Sequence, residues 1–140
     1  MAMTMHLDVV SAEEQLYSGT VEELIAPGVE GDLGILPRHN QLISNLRPGE
    51  LRYKTGEGME SLFVSGGILE VQPHVVTVLA DTAIRADDLD EASATEARER
   101  AEAALAGKDP EDLDYEQLQV ELEAAKAQFE MFQRISKSRH

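Results

Sequence analysis

The chain has no cysteine and no tryptophan. Without cysteine there is no disulfide framework, no thiol nucleophile and no thiolate metal site, which suits a reducing compartment. Aromatic residues are sparse, three Tyr and three Phe, which leaves little to line a pocket for a small ligand. Positive charge is scarce too: 12 Lys plus Arg stand against 27 Asp plus Glu, for a net charge of -15. Such a surface repels phosphate backbones and anionic lipid, so no nucleic-acid partner is expected. No apolar run approaches the ~20 residues that a membrane span requires. The opening MAMTMHLDVV meets Asp8 early and lacks a basic segment followed by an apolar stretch, so neither a secretory signal nor direct membrane insertion is expected. His6, His39, His74 and His140 have no ligand-like spacing, and no metal site is expected from them. The segment GDLG lacks the spacing of a phosphate-cradling loop. Paired acids at Glu13-Glu14, Glu22-Glu23 and Asp87-Asp88 read as solvated strand ends and a helix start before they read as a general acid and base or a calcium site.

What the 140 residues do contain falls into two halves of different period. Residues 1–86 are rich in short alternating segments broken by glycine, proline and asparagine. His6 to Val10, Val21 to Ala26, Gly49 to Tyr53, Ser61 to Ser65, Ile68 to Val71 and Val75 to Ala80 are each of strand length. Between the second and third of these lies PGVEGDLGILPRHNQLISNLRPGEL, where Gly28, Gly31 and Gly34 recur every third residue and Pro37 and Pro48 fix the chain. It reads as tight strands joined by turns, a recognition surface without a nucleophile, base and orienting group. Many short strands at close spacing predict a β-sandwich or flattened barrel.

Residues 87–140 are dominated by alanine and glutamate and predict two helices. The first opens on a capping box of Asp88 with Glu91 and stops at Gly107, with Leu89, Ala92, Glu96, Ala97, Ala101, Ala104 and Leu105 as its seam. The second starts near Asp112 or Asp114, and its heptad seam is Tyr115, Leu118, Leu122, Ala125, Phe129 and Phe132. The short GKDPEDLD connection makes the pair an antiparallel hairpin. Methyl groups bury little area at ~25 cal/mol per Å², so such a hairpin is weakly anchored and suited to a conformational switch.

Taken in order, HLDVVSAE, GDLGILPRH, LRPGEL, SGGILEV, VTVLADTA and LDEA resemble the epsilon subunit family of bacterial F-type ATP synthases over essentially the whole chain. The resemblance implies a ten-stranded N-terminal β-sandwich followed by a helix-turn-helix, a β + α fold with domains 1–86 and 87–140. It also implies a non-catalytic rotor-stalk role on the cytoplasmic face of the cell membrane. The sandwich would bind the gamma subunit and the ring of c subunits, coupling proton flow to ATP synthesis. The hairpin would inhibit ATP hydrolysis by reaching the alpha and beta subunits. Carried onto this sequence, the ring would meet Glu30, Gly31, Asp32, Arg38 and Asn40, and gamma would meet Ser11, His39 and Ser44. The inhibitory helix would use Lys126, Arg134, Lys137 and Arg139, although basic residues near a helix C-terminus also simply complement its dipole. No cofactor is expected: Ser93 stands where ATP-binding relatives carry arginine, and serine does not replace a guanidinium's contact with phosphate. Gln41 stands where the family usually has proline. The other readings are a purely structural adaptor between gamma and the ring, a nucleotide-sensing module, a free-standing ligand-binding sandwich and an enzyme, the last told apart by turnover of the purified chain.

Overall fold

Alternation of apolar and polar residues in MHLDVV turns every second side chain to one face of an extended chain. In the computed structural model, which describes residues 3–138, this segment is strand β1 (Met5–Val10). It buries Met5, Leu7 and Val9 and leaves His6 exposed. There follow β2 (Gln15–Val21), β3 (Glu23–Gly28), β4 (Gly31–Ile35), β5 (Leu42–Leu46), β6 (Gly49–Thr55), β7 (Gly58–Val64), β8 (Gly67–Val71), β9 (Val75–Ala80) and β10 (Ala83–Arg85). Their order is β10-β7-β6-β3-β5-β8-β9-β1-β2, with β4 paired to β3. Strands β1 and β9 run parallel.

Only one pair, Gly28 with Leu46, joins β3 to β5, so the sheet can bend there. Tyr17 on β2 and Tyr53 on β6 are remote in strand order, yet their ring centroids lie 4.6 Å apart. The sheet has thus folded over on itself into the expected ten-stranded sandwich. Leu7, Leu24, Leu51, Leu62, Leu69 and Val78 fill the space between its layers, each large aliphatic contributing roughly 1.5–3 kcal/mol by leaving water. Burial pushes the Tyr53 phenol well above its ordinary range, with the Glu60 carboxylate adding to the effect. At Gly67, φ is +144° and an added Cβ would collide with the Leu79 carbonyl, so the β8–β9 register requires glycine there.

The strand expected over Val21 to Ala26 is β3, and β2 (Gln15–Val21) is a further strand before it that the sequence reading does not include. The register shifts between Val9 and Val10, so that Val9 faces Tyr17 and Val10 faces Gln15. Leu16 is the extra residue of a bulge, and both Leu16 and Val21 are buried out of phase with each other. That broken period hides the strand from an alternation test. Strand β10 has only three residues and takes its place by pairing with Leu62, Phe63 and Val64 of β7.

The chain divides into two units after Ala86. In the second, a 3₁₀ turn (Ala86–Asp88) precedes α1 (Glu91–Leu105), and α2 spans Tyr115–Ser138. The expected capping box on Asp88 is not formed, because the 3₁₀ turn takes up Asp88. Asp90 caps instead, with extended backbone and its Oδ1 accepting the Ser93 N–H at 2.7 Å. Gly107, at φ +83°, follows the helix end as expected.

The inward face of α1 also differs from the expected seam. Ala94 is buried and Ala97, Arg98, Ala101 and Leu105 are half-buried, whereas Ala92, Glu96 and Ala104 are exposed. Alanine on several faces leaves the apolar phase undetermined, and Arg98 selects it by laying its guanidinium 5.2 Å from the centre of the Phe129 ring. On α2, Ala125 is buried and Tyr115, Leu118, Leu122, Phe129 and Phe132 are half-buried, so this seam is the one turned inward. A second apolar stripe, not anticipated from the sequence, runs through Val120, Ala124, Ala127, Met131 and Ile135; Met131 is fully buried and Val120 exposed.

Candidate interaction surfaces

The β3–β4 hairpin closes on Gly28 paired with Gly31, leaving Val29 and Glu30 at its tip. A Cβ on Gly28 would lie 2.7 Å from the Gly31 carbonyl oxygen, which explains the glycine. The tip is held by Arg47, which sequence reading passed over. Its Nη1 donates to the Gly28 carbonyl at 2.6 Å, its Nη2 to Asp32 Oδ1 at 2.7 Å, and its backbone N–H to Pro27 at 2.9 Å. The Val29 N–H donates to the Asn45 carbonyl. Asp32 is thereby committed within the chain, while Glu30 has no ion pair among the described residues and Val29 is 56% exposed. What the tip presents outward is an apolar side chain beside a carboxylate on a fixed backbone.

Arg38 and Asn40, expected on the same edge as the tip, lie elsewhere, together with His39 between them. Strand β4 starts where Gly31 pairs with Gly28 and ends where Ile35 pairs with Leu24, so the β4–β5 loop emerges at the opposite end of the strands. There the Arg38 N–H donates to the Pro73 carbonyl at 3.1 Å and the His39 N–H to the Leu36 carbonyl at 3.1 Å. His39 Nδ1 lies 2.8 Å from the Asn40 carbonyl oxygen. Next door, the His6 N–H donates to the His74 carbonyl. Arg38 has φ +68°, a left-handed backbone that costs roughly 1–2 kcal/mol for a residue with a Cβ.

Ser11 and Ser44 are brought together neither with His39 nor with each other. Ser11 Oγ closes its own turn, accepting the N–H groups of Glu13 and Glu14 at 3.3 Å. Ser44 pairs with the buried Leu69 and shares the inward side of β5 with Leu46, so Ile43, 73% exposed, is what that strand turns outward. Cross-strand register aligns Ile68 with Leu79 and Leu79 with Val10, giving an exposed apolar row on the outer sheet face. The signal was present in the sequence as apolar residues out of phase with the buried set.

On the same face, Ser18 Oγ donates to Asp8 Oδ1 at 2.7 Å, and His6 Nε2 lies 3.0 Å from the same oxygen. The Ser18 hydroxyl holds the Asp8 carboxyl below its ordinary 3.8, burial opposes this, and His6 adds to the lowering. The three residue types are those of a hydrolytic triad, and Ser18 Oγ also lies 3.2 Å from His6 Nε2, but the hydroxyl donates to the carboxylate, whereas in a triad the imidazole stands between the hydroxyl and the acid. Among the described residues no group of three or more His, Asp or Glu is arranged to hold a metal ion, and no helix is long and apolar enough to cross a membrane.

On α2, the spacing of Lys126, Arg134 and Lys137 keeps them on one side of the helix, with Lys126 half-buried and the other two exposed. Arg139 lies outside the described residues. Ser93 is taken up by the α1 cap, its Oγ donating to Asp90 Oδ2 at 3.1 Å.

These features define a two-part protein, a β-sandwich with rigid exposed turns and a helical hairpin with a basic-edged second helix. Residues 4–86 match the model for the ATP synthase delta/epsilon chain β-sandwich domain, and residues 87–133 match that for its long α-helix domain. The chain belongs to the ATP synthase delta/epsilon chain family. It is 56% identical over 137 residues to the ATP synthase epsilon chain of Thioalkalivibrio sulfidiphilus, with 96% of each chain covered. To that of Nitrosococcus oceani it is 58% identical over 138 residues, with 98% of each covered. In fold it resembles a chain in the cryo-EM structure of the Euglena gracilis mitochondrial ATP synthase, with a TM-score of 0.74 at 21% identity, covering 98% of this chain and 82% of that one. A chain of the Tetrahymena thermophila mitochondrial ATP synthase central stalk and c-ring gives 0.56 at 15% identity, covering 95% and 96%.

Proposed function

We propose that this chain is a rotor-stalk subunit of a bacterial proton-translocating ATP synthase, held at the cytoplasmic face of the cell membrane through its partners. It turns over no substrate itself, couples proton flow to ATP synthesis through its sandwich and restrains ATP hydrolysis through its hairpin. The observation that carries this reading is that both family domains occur in order along the chain, at more than half identity to ATP synthase epsilon chains. The tip with Val29, Glu30, Gly31 and Asp32 then faces the c-ring. Arg38 and Asn40 are better grouped with His39, on a surface for gamma that takes in the Ile43, Ile68 and Leu79 face, than with that tip, since β4 separates the two. Lys126, Arg134 and Lys137 serve contacts with carboxylates of the beta subunits, at a strength that falls with salt.

The test is ATP hydrolysis by a catalytic core stripped of this chain, with the full chain or residues 1–86 added back. The full chain is expected to bind and slow hydrolysis, and the fragment to bind without slowing it. Binding by both with slowing by neither would favour the structural adaptor; binding by neither would reject the stalk role.

A further inference from the structure

Arg38 combines two features that isolated stability does not explain. Arg38 is the one described non-glycine residue at positive φ, a backbone that glycine would adopt without penalty. Its conformation is over-determined by the Arg38 N–H bond to Pro73 and the His39 N–H bond to Leu36. Strain kept in place in this way points to a function for the side chain. The second feature is electrostatic. In a chain of net charge -15, Arg47, Arg98 and Arg100 all hold carboxylates of their own chain. The Arg38 side chain is exposed and has no ion pair or hydrogen bond among the described residues. The carboxylates on the neighbouring strands are engaged: Glu70 accepts from Gln72 Nε2 at 3.2 Å, and Asp8 accepts from Ser18 and lies against His6. Around it stand His39, His74 and the exposed Leu36. The Arg38 guanidinium thus sets a positive charge near an exposed apolar side chain, Leu36, on an acidic molecule.

We propose that Arg38 reads a partner: its guanidinium pairs with a carboxylate on the protein surface that docks over Leu36 and Ile43, and the strained backbone is the means of aiming it there. This rests on the stalk reading and adds to it the chemistry of the docked surface, a carboxylate beside an apolar patch. A guanidinium fits this role because its fork engages both carboxylate oxygens.

The experiment titrates the full chain and its R38G, R38A and R38K forms onto a catalytic core that retains gamma, lacks the c-ring and has been stripped of this chain, at low and high salt. R38G and R38A are expected to bind about tenfold more weakly at low salt, with the difference shrinking at high salt and R38K recovering only part of the loss, since an ammonium lacks the fork. R38G is also expected to melt no lower than the natural chain, since glycine relieves φ +68°. Unaltered binding by R38G, with the natural chain binding well, overturns this inference and leaves the stalk role standing. A loss that persists undiminished at high salt overturns the carboxylate as the thing read, and a lower melting temperature for R38G overturns the claim of strain. Failure of the natural chain to bind the core rejects the stalk role and this inference together.

Discussion

The sandwich and the hairpin are built from the same chain by opposite means. In the sandwich, leucines and valines from strands distant in sequence meet in one core, with Leu7, Val9, Leu24, Leu51, Val64, Leu69, Val76 and Val78 fully shielded. Among the described residues of the second unit the buried apolar ones are Leu89, Ala94, Ala125 and Met131, two of them alanines. Core leucines contribute several times what alanine methyls do, and a helix of fifteen residues such as α1 is marginal in water on its own. The difference sets a densely packed sandwich against a hairpin with little buried aliphatic area, and it gives the proposed division of labour a physical basis.

The contrast is tested most strongly by truncating apolar side chains on the two sides. Leu69→Ala should destabilise the sandwich by about 2–5 kcal/mol, because the closed layers leave a cavity. Leu118→Ala, at a half-buried seam position, should cost about 1 kcal/mol and act on the helices alone. Urea unfolding followed with a probe in each unit measures both; equal losses would erase the contrast. Next in size is Gly67→Ala, whose new methyl collides with the Leu79 carbonyl at a positive φ. It should lower sandwich stability by roughly 2 kcal/mol while leaving helix content unchanged by circular dichroism.

Asp90→Ala removes the acceptor of the Ser93 N–H and should loosen the start of α1 by about 1 kcal/mol, seen as faster amide exchange over Glu91 to Thr95. Asp88→Ala, at the cap position expected from sequence, should have little effect there. An inverted result would restore the capping box. The smallest effect concerns acid. Asp8 is held below 3.8 when folded, so its contribution is present above that pH and is lost as pH falls through the lower folded value. Ser18→Ala removes the largest cause of the lowering, so that variant should be less stable than the natural chain at neutral pH, with the gap closing as pH falls through the folded Asp8 value. A gap that stays constant with pH would mean that the Ser18 hydroxyl matters for reasons other than the charge.

Much of this contrast is legible in the residues. Alternation in MHLDVV and VVTVLA, the change to alanine and glutamate after residue 86 and the three-four spacing from Tyr115 to Phe132 each report a local period, and each became the expected element. What failed depends on partners distant in sequence. The bulge at Leu16 breaks the period of β2, β10 exists only through its pairing with β7, and the face of α1 is set by Phe129 on the other helix. The candidate surfaces were legible as segments but not as places. Glu30 and Arg38 are close in sequence, and only strand β4 running between them shows that they occupy opposite ends. Arg47, which fixes the tip, is remote from it in the chain, and the LRPGEL segment it stands in does not say which strands its side chain reaches.

The measurement that tests the central claim most directly is native-state hydrogen exchange on the full chain, resolved by segment. Amides of β1, β6, β8 and β9 are expected to exchange only through global unfolding, while those of α1 and α2 exchange together through a smaller opening that leaves the strands protected. Helices and strands sharing one protection free energy would contradict the account, because the hairpin would then unfold only with the sandwich.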